Sequence, residues 1–485
     1  MPKTWTKAEL RQLLKRKYGF DQFRPGQLPV IQDLLAGQDV LAVLPTGTGK
    51  SLIYQFVGTV LPGIVVVVSP LISLMQDQVA RLNYQGEKAV AALTSQVDYG
   101  ARLRLLGQLN RLKFLFVSPE MLGQPAVLSA LRATPISLLV IDEAHCISTW
   151  GPDFRPDYRD LGHLRHQLGD PRTLMLTATA TEQVQHDIVS LLAVPTAHRV
   201  IYSVDRPNIY LSVAQLESEA AKRERLRQLL TTVTGPSIVY FSSKRQTELI
   251  TDWLQTETTL RVAAYHAGLT AEDRYKVQQQ FMAGDLDVIC ATSAFGMGIN
   301  KGDIRMVIHY HLPTTLADYV QEIGRAGRDG QQAVAVILYV PGDENLVRNL
   351  NALTAATPSE IEQSYQRYQA QPNRTVDSEM ERVLTAYWQR GATVAAVTTQ
   401  FANRQLAKER ELQSLLQYVT TKDCRRALLL AHFKEQAPQH TASCCQLPGE
   451  PLPVKALGLD RAQDVKLAPP SGWEPTLAKL FLPNS

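Results

Sequence analysis

The chain has 485 residues, 45% of them hydrophobic, and a net charge of only +4 with a pI near 8.7. That apolar content excludes a disordered tail protein, and five cysteines in so long a chain exclude a disulfide scaffold and fit a reducing compartment. Apolar runs such as 64–68 and 333–340 are too short to span a bilayer, and the polar, basic N-terminus lacks the apolar stretch of a secretory signal, so a soluble cytoplasmic protein is expected.

In chain order, short β-branched runs alternate with helix-like segments. Val40–Leu44, Ile64–Val68, Phe114–Val117, Ile136–Ile141 and Thr173–Leu176 are predicted as buried parallel strands. A second series follows at Ser237–Phe241, Val262–Tyr265, Val288–Ala291, Met306–Tyr310 and Ala333–Val340. Thr270 with Asp273, and Thr315 with Asp318, have the spacing of helix-start capping boxes, with Asp in place of Glu. The pattern predicts an α/β protein with two tandem parallel-sheet domains, residues 1–204 and 205–345, joined near Asp205–Asn208. From Asp343 to about Phe433 the strand signal vanishes, predicting a mainly helical region at 346–446. The stretch 447–485 holds seven prolines in 39 residues and is expected to be a flexible tail.

Two motifs carry the chemistry. Leu44-Pro-Thr-Gly-Thr-Gly-Lys-Ser51 follows a strand and precedes a helix, the context of a phosphate-binding loop. Thr46, Gly47, Thr48 and Gly49 would present backbone N–H groups to phosphate oxygens. Lys50 would neutralise the β/γ-phosphates, and the Ser51 hydroxyl would bind Mg²⁺. Leu44 stands where the usual pattern has its first glycine. Asp142-Glu-Ala-His145 ends a strand, so Asp142 is placed to hold Mg²⁺ and Glu143 to orient or deprotonate the attacking water. His145 lacks spaced partners for a metal and is expected to couple the site to its surroundings.

With these motifs the chain resembles superfamily-two helicases and, within them, the RecQ family of DNA helicases, over roughly residues 10–345 and more weakly to about 445. Phe23-Arg-Pro-Gly-Gln27 is similar to the first family motif, which implies that Gln27 reads adenine through its amide. Ser69–Gln78, Ser118–Glu120, Leu176–Ala180, Tyr265–Gly268 and Ala291–Lys301 resemble further family motifs. Cys146–Tyr158 resembles the family's aromatic-rich loop, which implies DNA contacts by Trp150, Phe154, Arg155 and Tyr158. Gln321–Gly330 carries Arg325 and Arg328 three apart, on one face of an expected helix. Arg328 is expected as an arginine finger and Arg325 as a second phosphate contact. The resemblance implies two RecA-like lobes, ATP and Mg²⁺, and 3′–5′ movement on single-stranded or forked DNA in repair or recombination. An RNA helicase, or a DNA translocase or scaffold that unwinds little, are the rival expectations.

The chain departs from the family after the motor. Asp423–Phe433 resembles the start of the family's zinc module, and Cys424 and Cys445 align with ligand positions, but Ala442 and Pro448 replace the other two. Cys444 and His440 could complete a set only if adjacent cysteines converged, so the expectation is a helical platform without zinc, held by packing. No winged helix is expected to follow. A monomer is expected, with the tail around Trp473 and Leu477–Leu482 a possible protein-binding segment.

Overall fold

A computed structural model describes residues 5–461, apart from 71, 149–155, 297–300, 373–375 and 377. The first sheet contains β1 (Val40–Val43), β2 (Ile64–Val68), β3 (Val90–Leu93), β4 (Phe114–Val117), β5 (Ile136–Ile141), β6 (Thr173–Thr177) and β7 (His198–Ile201), in the spatial order β3-β4-β2-β5-β6-β1-β7. The second contains β8 (Ile209–Gln215), β9 (Ser237–Tyr240), β10 (Val262–Tyr265), β11 (Val288–Ala291), β12 (Met306–His309) and β13 (Ala333–Tyr339), in the order β10-β11-β9-β12-β13-β8. Every strand pairing within both sheets is parallel. Helices cover both faces, so strands such as β2, Ile-Val-Val-Val-Val, are buried at every position rather than alternating.

The expected strands form, and β3, β7 and β8 join them. β3 is Val-Ala-Ala-Leu and β7 is an edge strand of mostly exposed residues, so neither carries a long apolar run. The capping threonines act as their spacing predicts: Thr270 Oγ1 accepts from Asp273 N at 3.1 Å, and Thr315 Oγ1 from Asp318 N at 3.0 Å.

The helical region is helices 344–353, 358–370, 379–389, 394–420 and 425–432. The helix Val394–Thr420 serves two cores. Its N-terminal half places Val397 and Phe401 in a separate small core with Ile361, Leu384, Tyr387 and Trp388. Its C-terminal half buries Leu412, Leu415, Tyr418 and Val419 in the core of the second lobe. The first part of the expected flexible tail is ordered. Residues 447–461 run back along the second lobe, where Leu459 is buried and Leu452, Val454 and Leu457 pack against the same core. Thr234 N donates to Leu459 O at 2.8 Å, which pins this strap to the lobe. Apolar side chains spaced between the prolines offset the missing regular structure. The tail beyond 461, including Trp473 and Leu477–Leu482, lies outside the described residues. Among the described residues no helix is long and apolar enough to cross a membrane.

Candidate nucleotide cleft and metal cluster

Ligands of open parallel sheets bind beyond the C-terminal strand ends, and the motifs lie there. β1 runs into the loop 44–49, and β5 into Asp142–His145. β6, between them, leads into Thr177–Ala180, with Val43 opposite Thr177 and Ile141 opposite Met175. Gly47 at φ 88° and Gly49 at φ 73° turn the loop in the left-handed region, which side chains disfavour. Helix Lys50–Val60 starts directly after Gly49.

The structure brings Gln27, Thr46, Gly47, Gly49, Lys50, Ser51, Asp142, Glu143, Arg325 and Arg328 to one cleft of about 1020 Å³ between the lobes. Thr48 belongs to the same loop and donates from Oγ1 to Pro45 O at 2.8 Å. Lys50 Nζ donates to Leu44 O at 3.2 Å, and burial lowers its pKa even though Glu143 and Asp142 pull it up. Burial, then the Glu143 charge, pushes Asp142 up to about 7. Glu143 sits at φ 48°, left-handed for a non-glycine residue, and its buried Oε2 has no hydrogen-bond partner. A strained carboxylate with an oxygen outside any hydrogen bond, beside Asp142, suits a divalent cation and a reacting water. His145 Nδ1 lies 2.9 Å from Thr177 Oγ1 and 3.5 Å from Glu143 Oε2, linking the Glu143 carboxylate to the end of β6.

The second lobe faces this group with positive charge. Burial lowers the Arg328 pKa to about 9, and neighbouring Arg325 and Arg206 add to the effect. Arg325 is buried and donates from Nη1 to Gly296 O, while its Nε has no partner. The expected helix under these arginines is shorter than its sequence suggests. It ends at Ile323, and turns through Gly324 and Gly327, the latter at φ 55°, deliver both guanidiniums to the cleft. The lobes touch closely here, since a Cβ on Gly324 would stand 1.9 Å from Thr46 Oγ1.

Two placements add to or differ from expectation. Gln27 is buried, and its Nε2 donates to Thr48 O at 2.7 Å and Gly49 O at 3.1 Å while Oε1 accepts from Arg24 N at 2.9 Å. Its amide clamps the phosphate loop from the wall of the cleft. Tyr158 is not available for DNA stacking. It is fully buried in the first lobe's core and donates from its hydroxyl to Asp142 O at 3.1 Å. Trp150, Phe154 and Arg155 lie outside the described residues. Sequence reasoning also missed two cleft arginines, Arg24, which donates to Gly47 O, and Arg206. Arg24 stands inside the motif 23–27 and was open to notice; Arg206, in the linker, carries no motif signal.

The expectation against zinc rested on divergent cysteines, and these converge. Cys424 Sγ lies 3.7 Å from Cys444 Sγ and 3.6 Å from Cys445 Sγ, and the adjacent pair is 3.8 Å apart. His440 Nδ1 lies 3.4 Å from Cys424 Sγ and 3.7 Å from Cys445 Sγ, and all four donor atoms fall within 4.8 Å of one another. Tetrahedral zinc with Zn–S bonds of about 2.3 Å requires sulfurs about 3.8 Å apart, so the donor set fits the ion. The local backbone explains the convergence. Cys444 N closes a turn onto Thr441 O at 2.9 Å, and Cys445 bridges to Leu211 of β8, which fixes both residues at one corner.

Two parallel-sheet lobes with a phosphate loop on one and arginines on the other define a nucleotide-driven nucleic-acid motor. Comparison with known proteins makes this specific. Residues 24–188 match the DEAD/DEAH box helicase family, 221–330 the helicase conserved C-terminal domain, and 388–447 the RecQ zinc-binding family. The chain is 40% identical to the probable ATP-dependent DNA helicase RecS of Bacillus subtilis, covering 98% of both chains. It is 35% identical to the ATP-dependent DNA helicase RecQ of Haemophilus influenzae, over 93% of this chain and 65% of that one. The fold is similar to that of the Mycobacterium smegmatis helicase Lhr bound to single-stranded DNA and AMP-PNP, with a TM-score of 0.56, 19% identity, and coverage of 86% of this chain and 58% of that one. The chain belongs to the RecQ family of ATP-dependent DNA helicases.

Proposed function

We propose that this helicase moves 3′ to 5′ along single-stranded DNA and separates duplex strands at tailed or forked junctions, acting as a cytoplasmic monomer in repair or recombination. The observation that carries the motor reading is the joint lining of one cleft by Lys50, Asp142 and Glu143 from one lobe and Arg325 and Arg328 from the other. In this reading ATP draws the lobes together, because its phosphates bring negative charge between Lys50 of one lobe and Arg325 and Arg328 of the other. Lys50 and the loop 46–49 hold the phosphates. Mg²⁺, when bound, would be held by Ser51 and Asp142 and would offset phosphate charge. Glu143 accepts a hydrogen bond from the attacking water and takes its proton. Arg328 and Arg325 stabilise the charge that builds on the transferring phosphoryl group. Closing and reopening, passed on through His145 and Thr177, would alternate the grip of the lobes on DNA. The DNA contacts assigned by resemblance to Trp150, Phe154 and Arg155 complete this reading.

We also infer that Cys424, His440, Cys444 and Cys445 hold one structural zinc ion; four protein donors leave no open position for catalysis. The test is unwinding of duplexes with 3′ tails, 5′ tails and forks, alongside ATP hydrolysis with single-stranded DNA or RNA. Unwinding confined to 3′-tailed and forked DNA, with hydrolysis stimulated more by DNA, is expected. Stimulation by RNA equal to that by DNA, or a preference for 5′ tails, overturns the proposal.

A further inference from the structure

The linker between the lobes is tied at both ends by guanidinium groups. Arg206 reaches across the cleft: Nη1 donates to Thr46 O of the phosphate loop at 3.2 Å and to Gly324 O at 3.1 Å, and Nη2 to Ala326 O at 3.0 Å and Gly327 O at 2.8 Å. Three of these carbonyls belong to the second lobe and one to the first. Opening the cleft therefore breaks the bond to Thr46 and leaves Arg206 attached to the turn that carries Arg325 and Arg328. Planar, always-charged guanidinium suits this role, because its five N–H groups can serve several fixed carbonyls at once.

The backbone of Arg206 is held in turn. Arg426, 4% exposed, donates from Nη1 to Arg206 O at 3.1 Å and to the carboxylate of Asp205. From Nη2 it donates to Cys444 O at 3.1 Å and to Ile209 O. Cys444 is a member of the metal cluster, and Cys424 precedes Arg426 by two residues. Leu211 N also donates to Cys444 O, at 3.3 Å, so this carbonyl sits at the seam of cluster, linker and second lobe.

We propose that Arg206 and Arg426 form a two-step relay through which the cysteine–histidine cluster sets the closed position of the nucleotide cleft. Arg206 is a positioning residue that latches the phosphate loop to the arginine turn. Arg426 holds the linker so that the latch is aimed. An ordered cluster fixes the Cys444 carbonyl and thereby Arg426. Only this last arm rests on the zinc reading.

The test is a double-mutant cycle read out by titration of a fluorescent ADP analogue, with metal content and melting temperature measured on each full-length protein. Arg206→Gln is expected to weaken ADP binding by about 10-fold, and Arg426→Gln by about 5-fold, while the double variant is no weaker than Arg206→Gln. Arg426→Lys should fail to rescue, since ammonium cannot bridge four acceptors in one plane. Removing the metal from the wild type should weaken ADP binding as Arg426→Gln does and add nothing to that variant. Full additivity of the two substitutions overturns the relay. So does an Arg426→Gln protein with a lowered melting temperature and unchanged ADP affinity. If the wild type carries no metal, the zinc reading falls alone, and the two-residue cycle still decides the relay.

Discussion

The nucleotide cleft and the cysteine–histidine cluster are both assembled from distant stretches of chain, yet they are specified differently. Each carboxylate and loop of the cleft follows a buried parallel strand, so its position is fixed by sheet register: Asp142 by β5 against β6, Lys50 by β1 against β6. The cluster lies on turns and a helix start, where a donor can come from a neighbouring position if the backbone bends to suit. A rigid frame keeps a motif readable letter by letter. A loop-built site can gather donor atoms while its letters change, as Cys444 and His440 do beside Cys424 and Cys445.

The comparison breaks first if the cleft does not depend on its motif residues. Lys50→Ala is expected to lower DNA-stimulated ATP hydrolysis by about 1000-fold, the upper range for removing a group that stabilises transition-state charge, with the melting temperature little changed. Hydrolysis within a few-fold of wild type would show that the phosphates lie elsewhere. Next in size is the cluster. Cys424→Ser removes a cluster sulfur that no sheet holds in place, and on the zinc proposal should abolish metal binding and cost about 3 kcal/mol of stability, because binding at a structural zinc site is coupled to local folding. Elemental analysis and thermal melts check both. An unchanged melting temperature in the metal-free protein would mean that packing by Leu429, Leu430 and Tyr418 suffices alone.

The fold was legible where the physics is periodic. Strands buried on both faces need continuous apolar runs, and Ile64–Val68 and Ala333–Tyr339 are such runs. β7 was not legible, since an edge strand can be polar and still pair. Among site residues, Lys50, Asp142 and Glu143 are placed by motif and strand end together, and the two arginines by motif and by the turns that end a helix. Tyr158 and Gln27 illustrate the limit: a sequence names a residue's neighbourhood but not which way its side chain points. Arg206 marks the other limit, because a linker arginine acquires meaning only from the carbonyls that surround it in three dimensions.

A smaller effect isolates closure from chemistry. Gly324 has φ −61°, a conformation open to any residue, so Gly324→Ala carries no intrinsic backbone strain. Its added methyl would meet Thr46 Oγ1 at 1.9 Å, along with Val320 O at 3.0 Å in its own helix. The variant should lower kcat for ATP hydrolysis by about 10-fold, as expected for a displaced catalytic geometry, and leave single-stranded DNA binding near wild type. An unaltered kcat would mean that hydrolysis does not need the Thr46–Gly324 approach seen here.

The smallest expected effect bears on the aromatic loop. If Tyr158 stacks on a base, Tyr158→Phe keeps the ring and changes little, whether in DNA affinity or in stability. If it is the core residue described above, the substitution removes the hydroxyl that donates to Asp142 O at 3.1 Å and leaves that carbonyl without this donor. Loss of such a buried bond costs about 1 kcal/mol. A melt should therefore show a small, clear destabilisation, with DNA affinity unchanged because the ring does not reach solvent. Hydrolysis should fall only by a few-fold, since the bond steadies the backbone of Asp142 rather than its carboxylate. The pair of readouts separates the alternatives: a drop in stability with DNA affinity unchanged places Tyr158 with the rigid frame of the cleft, and no change in either returns it to a base-stacking role.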